Sequence, residues 1–349
     1  MARIAHPYLH TRVSPLARRL LDPAEFAAAL DRPVEASREF FRAIGAEALI
    51  SDDPRQARRS LEQRRLALVL DDAMVIVRAL SGASREFIRH WVHLLELVNL
   101  KAILHGRLTG RDPLAIRDGL FDMGPLAALP VEALLRAENE LEVLARLDGT
   151  PYADIGRQAR RVLEERRDLF FLDTTFDRRF FGGLVERAAK LHVHDPAGLR
   201  ALMEALVDGT NLVWLLRYRF VYGLPPAETY YLLIPTDYRL GGRQLRALAG
   251  LPSLATVLAA LPAPLARATR GAESIEDVGA RMERRLRATA HRLLAHSVSA
   301  LTRAFAYLLL RERDLKLVRG MMKAELMGIA GDVRREALRL PAPPGVAHA

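Results

Sequence analysis

The sequence predicts an all-α protein made of three related helical units, and three observations carry that prediction. Apolar residues recur at about one-turn spacing: Phe87, Trp91, Leu94/Leu95 and Val98; Leu199, Leu202 and Leu206; Val298, Leu301, Phe305 and Leu308/Leu309. Strand-like alternation with hairpin turns is missing, and the one β-leaning stretch, Thr229 to Ile234, is closed by Pro235. The third observation is an internal repeat, in which a polar residue followed by leucine opens a helical stretch that runs to a glycine.

Composition sets the frame for these elements. Half of the 349 residues are hydrophobic and 27% are charged, which is a globular balance with enough chain for a substantial core. Cysteine is absent, so disulfides and thiolate metal sites are excluded, and an intracellular setting fits. The start, Met1 to Pro7, has no hydrophobic core of a signal peptide, and the greasiest run, Ala304 to Leu310, is closed at once by Arg311, Glu312 and Arg313. The formal charge of +10 points to an anionic or acidic partner, carried almost wholly by arginine because lysine occurs only at Lys101, Lys190, Lys316 and Lys323.

Along the chain, breaks are expected at Gly110 to Pro113, Gly149 to Pro151, Asp195-Pro196, Gly223 to Pro226, Gly241-Gly242 and Pro262 to Pro264, where a missing donor or a left-handed turn stops a helix. The marker stretches run from Asn99-Leu100 to Gly110, from Asn211-Leu212 to Gly223 and from Asp314-Leu315 to Gly328. The markers lie 112 residues (99 to 211) and then 103 residues (211 to 314) apart. An acidic-apolar helix precedes each, from Leu61-Glu62, from Asp168 to Phe181 and from Ile275-Glu276, and a "Leu-Pro" helix start follows the first two, at Leu129-Pro130 and Leu251-Pro252. The third unit is expected to lack that follower because the marker helix is the last one. A period this long indicates duplicated bundles over 1–125, 126–235 and 236–340, with a disordered Pro-rich tail over 341–349. Asn99, Asn211 and Asp314 read as helix-interior or capping polar residues and the accompanying leucines as core.

Catalytic signatures are not found: no phosphate-binding G-x-x-x-x-G-K-[ST], no G-x-G-x-x-G after a strand and no G-x-S-x-G elbow. His192-Val193-His194-Asp195 could offer two metal ligands, yet such a stretch before Pro196 is more often a helix end stabilised by its dipole. His90 and His93 share a helix face without a repeated Glu-x-x-His partner. The residues therefore assign no catalytic, cofactor or metal site.

The marker helices carry a resemblance. With Tyr8 to Val13, the Asn99-Leu100 helix ending at Arg107 to Arg111, Phe176 to Phe181, Asn211-Leu212 running to Gly223-Leu224-Pro225, and Arg311 to Arg319, most of the chain is similar to the C-type (AC39-like) subunit of V/A-type rotary ATPases, the family that includes the d-type subunit of vacuolar ATPases. The resemblance implies three bundles arranged as a funnel on the cytoplasmic face of the membrane rotor ring, receiving the central shaft of D- and F-type subunits. It implies a non-catalytic, torque-transmitting role without a cofactor, with membrane contact only through the complex. On this reading the charged members of the marker helices, Lys101, Arg107, Arg217, Arg219, Arg319 and Lys323, are the partner-interface candidates. The alternative kept beside it is a basic all-α module that binds nucleic acid.

Overall fold

The computed structural model describes residues 7–50, 57–166 and 168–329. Among these it holds seventeen α-helices, three short 3-10 turns and no strand. The helices are α1 Pro7–Ala17, α2 Pro23–Leu30, α3 Arg38–Ala43, α4 Ala57–Arg78, α5 Gly82–Leu108 and α6 Pro113–Arg117. There follow α7 Val131–Leu135, α8 Glu140–Ala145, α9 Ala153–Arg166, α10 Leu169–Ala189, α11 Pro196–Phe220 and α12 Pro226–Leu232. The last are α13 Gly242–Ala249, α14 Leu254–Ala259, α15 Ala263–Thr269, α16 Ile275–His296 and α17 Ala300–Leu326. The all-α class stands, and each of the six predicted breaks separates helices; the Pro-rich tail lies outside the described residues.

Local chemistry sets the ends. Asp168 caps α10 by accepting from the Phe170 N–H at 2.8 Å, and Ser299 caps α17 by accepting from the Thr302 N–H at 3.2 Å. Asp195 accepts from the Gly198 N–H at 2.7 Å, so the His-x-His-Asp stretch precedes a helix start and is not the helix end predicted for it. Gly110, Gly223 and Gly328 all have left-handed backbones (φ +68°, +67°, +67°), the conformation that ends each marker helix at the predicted residue. Three expectations shift. The marker stretches are the C-terminal parts of continuous helices of 27, 25 and 27 residues, with each marker inside the helix. Thr229 to Leu232 is helical, because Pro226 in the first turn starts α12, and Leu233 and Ile234 lie beyond its end, with Leu233 extended. At Leu251-Pro252 the helix begins later, at Leu254, behind a Ser253–Thr256 capping box.

The chain forms two compact units, one of the residues up to Leu80 with those from Ala290, the other of Ser81–Thr289. In the first, α17 packs on α1 and α4. Every residue from Ala304 to Leu310 is at most 1% exposed, so this stretch is apolar all round because protein surrounds it all round. No described helix is long and apolar enough to cross a membrane. In the second unit α10 packs on α5, α9 and α11, and α11 packs on α12 and α13. Two members of the predicted apolar stripes are exposed: Val98 (49%) on the outer side of α5, and Val298 (68%), which precedes the cap of α17 and so is not on its helix face.

Close packing gives a first expected outcome. A Cβ on Gly156 of α9 would lie 2.8 Å from the Leu144 backbone oxygen and 3.1 Å from the Leu147 Cβ, and backbone has little freedom to retreat. Gly156→Ala is expected to destabilise the second unit by about 1–3 kcal/mol. Thermal unfolding checks this, and an unchanged midpoint contradicts it.

Candidate functional site

The three markers do the same job. Asn211 of α11 donates Nδ2–H to the Ile234 carbonyl at 3.0 Å and accepts the Ile234 N–H on Oδ1 at 2.8 Å. Asn99 of α5 grips Phe121 in the same two-handed way, both bonds at 2.8 Å. Asp314 of α17 accepts the Leu21 N–H on Oδ2 at 2.9 Å. In each case a side chain in the middle of a long helix takes the place of a β-sheet neighbour for an extended stretch of backbone, here termed a strap. Buried backbone groups need partners, and a helix has no spare backbone donors or acceptors at mid-length, so an amide or carboxylate must supply them.

One turn earlier on each helix sits a second buried polar residue. Glu96 accepts the N–H groups of Ala128 and Leu129 at 2.8 and 2.9 Å, and the Tyr152 hydroxyl at 2.5 Å. Burial, then the Glu96 charge, pushes that hydroxyl well above the ordinary phenol range. Asp208 accepts the Leu240 N–H at 3.1 Å. Arg311 inverts the polarity: its guanidinium donates to the carbonyls of Arg19 at 3.0 Å and Gly45 at 3.2 Å and to Asp72 Oδ2 at 3.0 Å. Asp72 also accepts from the Tyr307 hydroxyl at 2.7 Å and from Arg19 Nη1 at 2.6 Å.

The six candidate cations divide. Lys101 pairs with Asp177 at 2.7 Å, Arg107 donates to the Ala137 carbonyl, Arg219 to the Ala249 carbonyl at 2.7 Å, and Arg319 pairs with Glu62. These bonds account for four positions from inside the fold. Arg217 and Lys323 are exposed. Glu96, Asp208 and Arg311 were given no buried role from the sequence, although their spacing of three residues before each marker recurs there and was the available signal.

His90 and His93 belong to the core of the second unit. His90 stacks on Phe180, ring centroids 4.6 Å apart, and donates Nε2–H to its carbonyl at 2.9 Å. Burial, with Arg187 and His93 opposing charge, holds His90 down to about 3; burial, with Arg89 and Arg187, holds His93 down to about 4. Among the described residues no three His, Asp or Glu side chains are grouped to hold a metal ion.

The sign of the resulting pH dependence follows directly. Unfolded, each ring takes a proton near 6.5; folded, only near 3 or 4. The unfolded state thus binds more protons below that pH, and stability complete above pH 6.5 is lost as the pH falls, by up to about 1.4 kcal/mol per pH unit for each ring. Asp208, raised to about 6 by burial, has the opposite sign because its folded carboxyl keeps a proton that the unfolded one releases. His90→Gln is expected to lower the slope of unfolding free energy between about pH 6 and 4 by up to about 1.4 kcal/mol per unit. An unchanged slope in urea titrations would mean that folded His90 protonates normally.

With this geometry in place, comparison with known proteins gives one consistent answer. A family model described as "ATP synthase (C/AC39) subunit" matches residues 9–337. The C-type subunit of the A-type ATP synthase of Thermococcus gammatolerans is 23% identical over 285 residues, covering 78% of this chain and 72% of that protein. Its counterpart in Thermococcus kodakarensis is 23% identical over 274 residues, covering 75% and 70%.

Proposed function

The chain belongs to the ATP synthase C/AC39 subunit family, and on that premise we propose that it is a non-catalytic central-stalk adaptor of an A/V-type ATPase, coupling the rotating shaft to the membrane rotor ring. The family match across residues 9–337 is the observation that carries this reading. Both relatives are named as subunits of A-type ATP synthases, which supports a search for partners among the other subunits of such a complex. A torque adaptor has to resist shear. The long helices support that role because their buried polar side chains are bonded to the straps on both repeats of the second unit and on α17. Three bundles of this kind would act as the working part, peripheral to the membrane on its cytoplasmic face.

The six candidate cations remain the proposed contact residues, with Arg217 and Lys323 foremost because they are exposed. Four of the six are engaged inside the fold, so the net charge overstates the cationic surface available to nucleic acid. Co-purification with D- and F-type shaft subunits and with the detergent-solubilised ring is the test. Retention by both is expected, and weaker retention of Arg217→Glu and Lys323→Glu. A chain that binds neither intact partner overturns the adaptor reading.

A further inference from the structure

We infer that the end of α11 is a protein-docking point, with Val221 and Tyr222 as its apolar tip and Arg217 as its cation, and that it takes a partner segment presenting an apolar side chain beside a carboxylate. On the adaptor reading, on which this rests, that partner is another subunit of the complex.

The two tip side chains have no task in the fold. Val221 is 65% exposed and Tyr222 56%, directly before Gly223, whose left-handed backbone ends the helix. Closing the helix uses their backbone alone: the Val221 and Tyr222 N–H groups both reach the Arg217 carbonyl at 2.9 Å, and the Leu224 N–H reaches the Tyr218 carbonyl at 2.9 Å. The side chain that packs on the core behind the glycine is that of Leu224. The first marker helix supplies a control. It ends at an equivalent left-handed glycine, Gly110, yet carries Thr109 in the place of Tyr222, and His105 one turn back is bonded to Asp173 at 3.0 Å. Such a helix end therefore does not require exposed apolar side chains. The third repeats the α11 combination, with Leu326 (40%) and Met327 (67%) exposed before Gly328 and Lys323 exposed one turn back. A cation near a helix C-terminus is explained by the dipole; an exposed apolar pair is not.

Geometry and charge select the occupant. The Tyr222 ring lies against Phe170, centroids 4.5 Å apart, with Tyr218 at 6.4 Å, so it is set before binding and gives up little freedom on contact. Arg166 covers the neighbouring Phe171 at 4.2 Å, and aromatic rings with arginine are the side chains enriched at protein interfaces. An anionic membrane is met by several clustered cations. The last two turns of α11 offer one: Arg217 is exposed and has no ion pair among the described residues, whereas Arg219 is bonded to the Ala249 and Leu224 carbonyls. A second copy would set Arg217 against its own like charge, on a chain that carries +10. A carboxylate beside an apolar side chain satisfies both features of the tip.

The test compares the full-length parent, the double variant Val221→Ser/Tyr222→Ser and the control Thr109→Ala on immobilised D- and F-type shaft subunits and on the detergent-solubilised ring. The double variant is expected to keep the parent's helical circular-dichroism signal, because both side chains are exposed, yet to lose about tenfold or more in affinity for one of the two partners. Thr109→Ala is expected to lose nothing, and Arg217→Ala to flatten the salt dependence of the same interaction. Equal affinities of parent and double variant for both partners overturn the inference and leave the adaptor reading standing. A parent that binds neither overturns both. Pelleting with phosphatidylserine vesicles that depends on Tyr222, or a parent dimer that the double variant loses, identifies a different occupant and overturns it as well.

Discussion

Replacing Arg311 with methionine is expected to destabilise the first unit by about 3–5 kcal/mol, the largest effect expected of any single substitution in this chain. Arg311 is 0% exposed, and each of its guanidinium nitrogens donates within the protein: Nε to Asp72, Nη1 to the Arg19 carbonyl and Nη2 to the Gly45 carbonyl. Methionine would fill much of the space but take the Arg311 donors from two backbone carbonyls, those of Arg19 and Gly45. It would also strip Asp72, 1% exposed, of its buried counter-charge. Arg19 remains beside Asp72, but its side chain is 46% exposed, so water screens it and the compensation is partial. The cost comes from the charge left behind, not from the net worth of the pair, and that distinction is testable. Combining Arg311→Met with Asp72→Asn removes the stranded carboxylate and should recover part of the loss. Far-ultraviolet circular dichroism is the appropriate probe, because both tryptophans, Trp91 and Trp214, belong to the other unit. A single mutant within about 1 kcal/mol of the parent would contradict the buried-charge account.

The helix breaks and glycine ends were legible in the sequence because they depend on residues within a few positions of one another; the serine caps are equally local but were not read from it. Asp168, Ser253 and Ser299 cap through N–H groups two or three residues away, and Gly110, Gly223 and Gly328 act through their own φ. The clasps, the side-chain bonds by which each marker helix holds its strap, were half legible. The helix side of each carries a recurring mark, Glu96 before Asn99, Asp208 before Asn211, Arg311 before Asp314, in faces otherwise apolar. The strap side carries almost none, since the groups held at Phe121, Ile234 and Leu21 are backbone N–H and C=O, which any residue but proline offers. The same limit governs the candidate cations. An arginine that donates to a carbonyl 30 residues away, as Arg107 and Arg219 do, looks in sequence like one that faces solvent.

The clasps also predict a ranking that distinguishes their geometry from simple polarity. Asn211→Leu is expected to cost about 2–5 kcal/mol, because leucine matches the volume but abandons two backbone groups, each worth about 1–3 kcal/mol when buried without a partner. Asn211 and Ile234 are both 0% exposed, so water cannot replace the lost bonds. Asn99→Leu removes the same pair of bonds but should cost less, since Phe121 is only half-buried and its backbone is nearer to solvent. Asn211→Asp should fall between the two, because Oδ1 still accepts the Ile234 N–H while the second oxygen now faces the Ile234 carbonyl instead of donating to it. Trp214, three positions along the same helix, reports on this unit by fluorescence during urea unfolding. If Asn99→Leu proves as costly as Asn211→Leu, solvent access to the strap does not set the cost.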